Sequence, residues 1–149
     1  MPRRINEVST SELKLFLKDS NTQIIDVRPT EAYNGWKLRN EVRGGHISGA
    51  RSLPVKWAEY IDWIEIIRYK KILPQHKIIL YGYDETDIYK VAERFHDAGY
   101  DDLNIYRNFL SEWLPGDEFP VERMERFTNL VYPAWLNTLI SGGKPPMYD

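Results

Sequence analysis

The chain has 149 residues, 42% hydrophobic and 28% charged, with a net charge of −2 and no cysteine. A domain of that length can bury roughly 68–70% of its unfolded surface and needs neither disulfide nor metal to fold. The interspersed charge excludes the basic stripe of a nucleic-acid or anionic-membrane surface. The missing thiol excludes disulfides, thiolate metal sites and a cysteine nucleophile within this chain.

Met1-Pro2-Arg3-Arg4 is basic, but no apolar segment of signal-peptide type follows it. No run approaches the 18 apolar residues of a membrane span, so the expectation is a cytoplasmic protein with no membrane partner.

Ser9-Thr10-Ser11-Glu12 has the form of a capping box, and Leu13, Phe16 and Leu17 then share a helical face. Ile24-Ile25-Asp26-Val27 is a β-branched run stopped at Arg28-Pro29, with a helix start at Thr30-Glu31. Gly44 to Gly49 reads as a loop into a short strand over 50–53. Trp57, Tyr60, Ile61 and Ile64 predict the core face of one longer helix closed by Pro74. Lys77 to Tyr81 is the clearest buried strand. A helix capped by Thr86 or Asp87 then runs to Gly99, and Leu103 to Tyr106 is the next strand. Alternating strands and helices predict an α/β fold with a mostly parallel central sheet covered on both faces.

Residues 1–114 form the predicted domain, and 115–130, with two prolines and mixed charge, read as a linker. Beyond it, Val131, Leu136, Leu139 and Ile140 fall on Val8, Leu13, Phe16 and Leu17 without a gap. Residues 131–149 therefore read either as the start of a second copy of the domain or as a C-terminal amphipathic helix.

Ile24-Ile25-Asp26-Val27-Arg28, followed by Gly45-His46-Ile47-Ser48-Gly49-Ala50 and by the helix end Gly99-Tyr100, resembles the rhodanese (thiosulfate sulfurtransferase) family. The resemblance implies a rhodanese-like three-layer α/β/α fold. Ser48 replaces the proline of the family's Gly-His-Ile-Pro-Gly-Ala turn. The family's third signature is a strand ending in a nucleophilic cysteine, then a C-x-x-G-x-R loop and a helix. At that spacing Gly82 stands at the cysteine, Glu85 at the loop glycine and Asp87 at the loop arginine.

In active members the resemblance implies a thiolate that carries sulfur as a persulfide, cradled by loop amides and a helix N-terminus. Here the loop Gly82, Tyr83, Asp84, Glu85, Thr86 and Asp87 has no nucleophile, and its carboxylates oppose a sulfur anion. The acids read as helix caps rather than as catalysts or a magnesium site. In the family context Asp26, Arg28 and His46 are structural supports. His76 and His96 form no metal pair, so neither cofactor nor metal is implied.

The segment Asn34 to Arg43 is an insertion against the family pattern. It reads as a surface excursion, with Trp36 packed back on the domain or presented to a partner. The implied function is a non-catalytic N-terminal module of a tandem sulfurtransferase. It would wall the cleft of a cysteine-bearing domain further along the same protein, and only through that domain would it meet a sulfur-anion substrate. The alternative is a stand-alone binding or regulatory module on the same scaffold.

Overall fold

The computed structural model describes residues 5–60, 62–116 and 118–123. The expected start of a second copy at 131–149 lies outside them. Five strands form one parallel sheet in the order β1-β6-β5-β2-β4: β1 (Asn6–Glu7), β6 (Leu103–Ile105), β5 (Lys77–Tyr81), β2 (Thr22–Asp26) and β4 (Arg51–Ser52). A small antiparallel ribbon pairs β3 (His46–Ile47) with β7 (Val121–Glu122).

The central strands carry consecutive apolar residues, Ile24-Ile25 in β2 and Ile78-Ile79-Leu80 in β5, because both faces of the sheet are covered. Ile25, Ile78, Leu80, Leu103 and Ile105 enter one core, where α4 (Glu85–Asp97) contributes Ile88, Val91, Ala92 and Phe95. Each large side chain buried there is worth about 1.5–3 kcal/mol relative to exposure. Ile24, Ile79 and Tyr81, one residue out of phase, enter the opposite core with Leu13 of α1 (Thr10–Phe16), Phe109 and Trp113. These two layers flank the sheet, as a three-layer α/β/α fold requires.

Local chemistry fixes the ends of these elements. Ser9 Oγ accepts from the Glu12 amide at 3.1 Å, and Glu12 Oε1 accepts from the Ser9 amide at 2.9 Å, closing the capping box. The short α2 (Thr30–Asn34) follows Pro29. It ends at Gly35, where Gly44 approaches so closely that a Cβ on Gly44 would lie 1.9 Å from the Gly35 carbonyl oxygen.

The single helix expected from Trp57 onward is corrected. The chain makes a 3-10 turn, Val55–Glu59, then α3 (Trp63–Tyr69), with Tyr60 extended between them at φ −77° and ψ 145°. That break re-phases the inward face. Ala58, Trp63 and Ile67 are buried, Trp57 and Ile64 are half-buried, and Tyr60 is exposed. Ile61 lies outside the described residues. Trp63 gains an edge-on contact with Phe95, ring centres 5.2 Å apart.

Within the segment read as a linker, the described residues are seated on the domain. Phe119 stacks on Trp113 at 4.8 Å, and β7 pairs with β3. Ser48, in place of the family's proline, supplies a backbone N–H that donates to the Pro120 carbonyl at 3.2 Å, and its hydroxyl donates to Glu122 at 2.9 Å. A proline would have no such N–H. Arg43 completes the seat: Nε donates to the Leu114 carbonyl at 2.7 Å, and Nη2 to those of Trp113, Gly116 and Phe119 at 2.8 Å each.

Arg43→Met keeps the apolar stem and removes these donors, so it is expected to cost about 2–3 kcal/mol in urea unfolding, the scale of charge-assisted hydrogen bonds. Amide exchange at 118–123 should quicken together with that loss. Unaltered protection there would show that β7 does not depend on Arg43.

Candidate functional site

The site lies at the C-terminal edge of the sheet, where β2 and β5 deliver Asp26 and Gly82 to the same end. β2 ends in an Asp-Val-Arg segment whose charged pair is fully buried. Asp26 Oδ1 accepts from the Arg28 amide at 2.9 Å and from its Nε at 3.0 Å, and Oδ2 accepts from Nη2 at 2.7 Å. Nη2 also donates to the Gly45 carbonyl at 2.6 Å, which ties β2 to the turn before β3. Tyr81 OH donates to Asp26 Oδ2 at 2.8 Å and accepts from the Ile47 amide at 3.0 Å. Burial and the nearby Asp26 charge push the Tyr81 hydroxyl well above its ordinary value, so it remains a donor. Burial works against the Arg28 charge, but the Asp26 carboxylate outweighs it and raises the guanidinium pKa.

His46 stacks flat on Tyr33, ring centres 3.6 Å apart, and its Nδ1 donates to the Tyr33 carbonyl at 2.7 Å. Its Nε2 lies 3.5 Å from Glu122. Glu122 is held below its ordinary value by the Gly49 amide and the Ser48 hydroxyl, with a smaller contribution from His46. His46 therefore spans α2 and the β3–β7 ribbon and lies outside the Gly82 loop.

The loop itself is short, since α4 begins at Glu85. Gly82 is closely overlaid: a Cβ there would lie 2.6 Å from Val27 Cγ2, with Ile88 at 3.6 Å and the Arg28 stem at 3.9 Å. The capping role expected of the acids is corrected. Asp84 occupies the N-cap but makes no side-chain bond to the helix amides. Its carboxylate takes both ends of the Arg39 guanidinium, at 2.9 and 3.2 Å, and this contact lowers the Asp84 pKa. Glu85 instead faces Arg107 at 3.3 Å. Thr86 is exposed, and Asp87 is half-buried at the edge of a groove of about 480 Å³ bounded by Arg28, Leu38, Arg39, Trp57 and Tyr83. Among the described residues no group of three or more His, Asp or Glu side chains is placed to hold a metal, and no helix is long and apolar enough to cross a membrane.

The surface excursion expected of 34–43 is likewise corrected, because the segment folds back over the loop. Glu41, its side chain 2% exposed, accepts from the Tyr83 hydroxyl and lies 3.7 Å from Arg28 Nη1. Nη1 is buried without a hydrogen-bond partner, so Glu41 is the anion that faces it. Burial pushes the Glu41 carboxyl up, but Tyr83, backbone amides and Arg28 together outweigh that and hold it below its ordinary value. Burial, then the bond to Glu41, pushes the Tyr83 hydroxyl up to about 12. Trp36 remains 41% exposed. Sequence reasoning missed Glu41 and Arg39. The one available signal was the alternation of charge at 39, 41 and 43, an extended strip with one charged side.

A family model, the rhodanese-like domain, matches residues 9–115. The chain belongs to the rhodanese-like domain family. It is 31% identical over 132 residues to thiosulfate sulfurtransferase YnjE of Escherichia coli (strain K12), covering 85% of this chain and 28% of that protein. It also superimposes on wild-type EanB, and on an EanB complex with hercynine, with a TM-score of 0.82 at 43% identity. Those matches cover 98% of this chain and 34% of EanB. The chain thus spans about a third or less of each of these multidomain relatives.

Two tests follow from this geometry. Gly82→Ala should destabilise the protein by about 1–3 kcal/mol through overpacking against Val27. Combined with Val27→Ala it should cost at least about 1 kcal/mol less than the sum of the two single changes; strict additivity in urea unfolding would refute the contact. The lowered Glu41 pKa means that its ionised form adds stability above pH 4.5, lost as pH falls through the folded value. The stability gap between wild type and Glu41→Gln should therefore narrow between pH 6 and pH 3, and a constant gap would exclude the ionic role.

Proposed function

We propose that this chain is a non-catalytic rhodanese module, the N-terminal part of a multidomain thiosulfate sulfurtransferase, which supports the cleft of a cysteine-bearing domain of the same protein. The observation that carries this reading is the occupied nucleophile site. Gly82 has no thiol and its Cβ position is crowded by Val27, while Glu41 and Arg39 lie across the loop. The frame around that site is nevertheless complete. Asp26, Arg28 and His46 act as structural supports: the first two lock β2 to β5 and to the Gly45 turn, and the third joins α2 to the ribbon. A frame locked by buried hydrogen bonds around a glycine suits a module that contributes shape rather than chemistry.

The size of YnjE and EanB relative to this chain supports the modular part of the reading. In such a protein the sulfur anion would be handled by the cysteine of the other domain, and the carboxylates of this loop would stay clear of it. Asp84 is half-exposed and paired, and nothing about it suits general acid–base work.

Thiosulfate-to-cyanide sulfur transfer tests the proposal. The chain alone should give no turnover. Gly82→Cys should remain at least about a hundredfold below YnjE assayed in parallel, because the oriented donors and cation of an active loop are missing and the Cβ is crowded. Comparable turnover by Gly82→Cys would overturn the inert-scaffold reading. An intact protein without a C-x-x-G-x-R segment in another domain would overturn the modular one.

A further inference from the structure

The strap over 36–43 exposes apolar side chains while two of its charges are anchored inward. Glu41 bonds Tyr83 and faces Arg28, and Arg43 bonds four backbone carbonyls; Arg39 pairs with Asp84 at the half-exposed rim, and Lys37 is exposed. Its apolar side chains turn outward, with Trp36 41%, Leu38 50% and Val42 64% exposed. Asn40 takes the left-handed turn between them at φ 59°, and its amide donates to the Lys37 carbonyl at 3.2 Å. A segment held only for local stability would put its apolar groups inward and its charges in water. Here three ionic or polar anchors hold an apolar strip facing solvent, so little conformational entropy remains to be lost when that strip is covered.

We infer that Trp36, Leu38 and Val42 form the docking strip for the cysteine-bearing domain of the same protein, an inference that rests on the modular reading above. Three observations select this occupant. The relatives that the chain matches over 85–98% of its length are about three times longer, and in a protein of that size the remaining domains would be at hand to cover the strip. Leu38 lines the same groove as Arg39, Tyr83 and Asp84. Its anchors are the residues that fill the loop, so a domain seated there would meet the wall of the degenerate site. Leu15 provides an internal comparison: it is 81% exposed on α1, outside the strap.

The test uses the intact protein that carries this domain. Leu38→p-benzoylphenylalanine is irradiated and the cross-linked peptides are mapped. The expected product joins position 38 to the cysteine-bearing domain within one polypeptide. A product joining two copies of the protein, a product with an unrelated protein, or no product at all would overturn the inference. Leu38→Asp/Val42→Asp in the same protein should lower kcat/KM for thiosulfate by about tenfold, as loss of two central apolar contacts would. The far-UV circular dichroism should stay unchanged, because both side chains already face water. Leu15→Asp should leave kcat/KM unaltered, and an equal loss there would overturn the assignment. If the intact protein contains no cysteine-bearing rhodanese-like domain, the modular reading fails. If it contains one and position 38 does not reach it, only the docking strip fails.

Discussion

The rest of the structure depends on the buried pair of Asp26 and Arg28. Two charges taken out of water cost several kcal/mol each unless their hydrogen-bonding capacity is met. The Asp26 carboxylate receives the Arg28 backbone, the Arg28 side chain and the Tyr81 hydroxyl. Arg28 in turn holds the Gly45 carbonyl, and Tyr81 holds the Ile47 amide. One pair therefore sets the relative height of β2 and β5 and the position of the turn that starts the β3–β7 ribbon. The aromatic rings of Phe109, Tyr83 and Tyr81 lie 4.6, 5.3 and 5.8 Å from the guanidinium carbon, which softens the desolvation of the cation.

That pair leaves one demand open. Arg28 Nη1 is buried and points toward the loop without a hydrogen bond. In a site built to hold a sulfur anion, a cation aimed there would be useful. Among the described residues the carboxylate that answers it is Glu41, brought in by the insertion and backed by Tyr83. The extra residues between α2 and Gly44 are thus tied to the electrostatics of the loop they cover. The Arg39–Asp84 pair at the rim is half-exposed, and as a surface contact it adds orientation more than stability.

The layers of this fold were legible because the signals were periodic and local. The apolar run at 77–81 gave a buried strand, Ser9 with Glu12 gave a helix start, and the ordered motifs at 24–28 and 45–50 gave the family. What failed to show were features set by long-range charge pairing. Asp84 stands where a capping acid belongs, and its side chain is drawn off by Arg39, 45 residues earlier in the chain. The Trp57 helix broke at Tyr60 because the helical period alone carries no information about a kink at a residue with ordinary propensity. The strand at 121–122 is two residues long, too short for any alternation to stand out.

Gly82 and the strap answer one constraint from two sides. Val27 must sit over the loop, because its amide donates to the Tyr81 carbonyl at 3.0 Å and its carbonyl accepts from Val55. With the Val27 backbone fixed there, a Cβ at position 82 would lie 2.6 Å from Val27 Cγ2. A thiol could enter only if that methyl gave way. Losing the nucleophile was therefore compatible with a tighter packing of the β2 and β5 ends than a side chain at 82 would allow. Beside the glycine, Glu41 faces the buried Arg28 Nη1 at 3.7 Å. The degenerate loop is consequently a packed and charge-balanced structure, and restoring a cysteine alone would disturb both features at once.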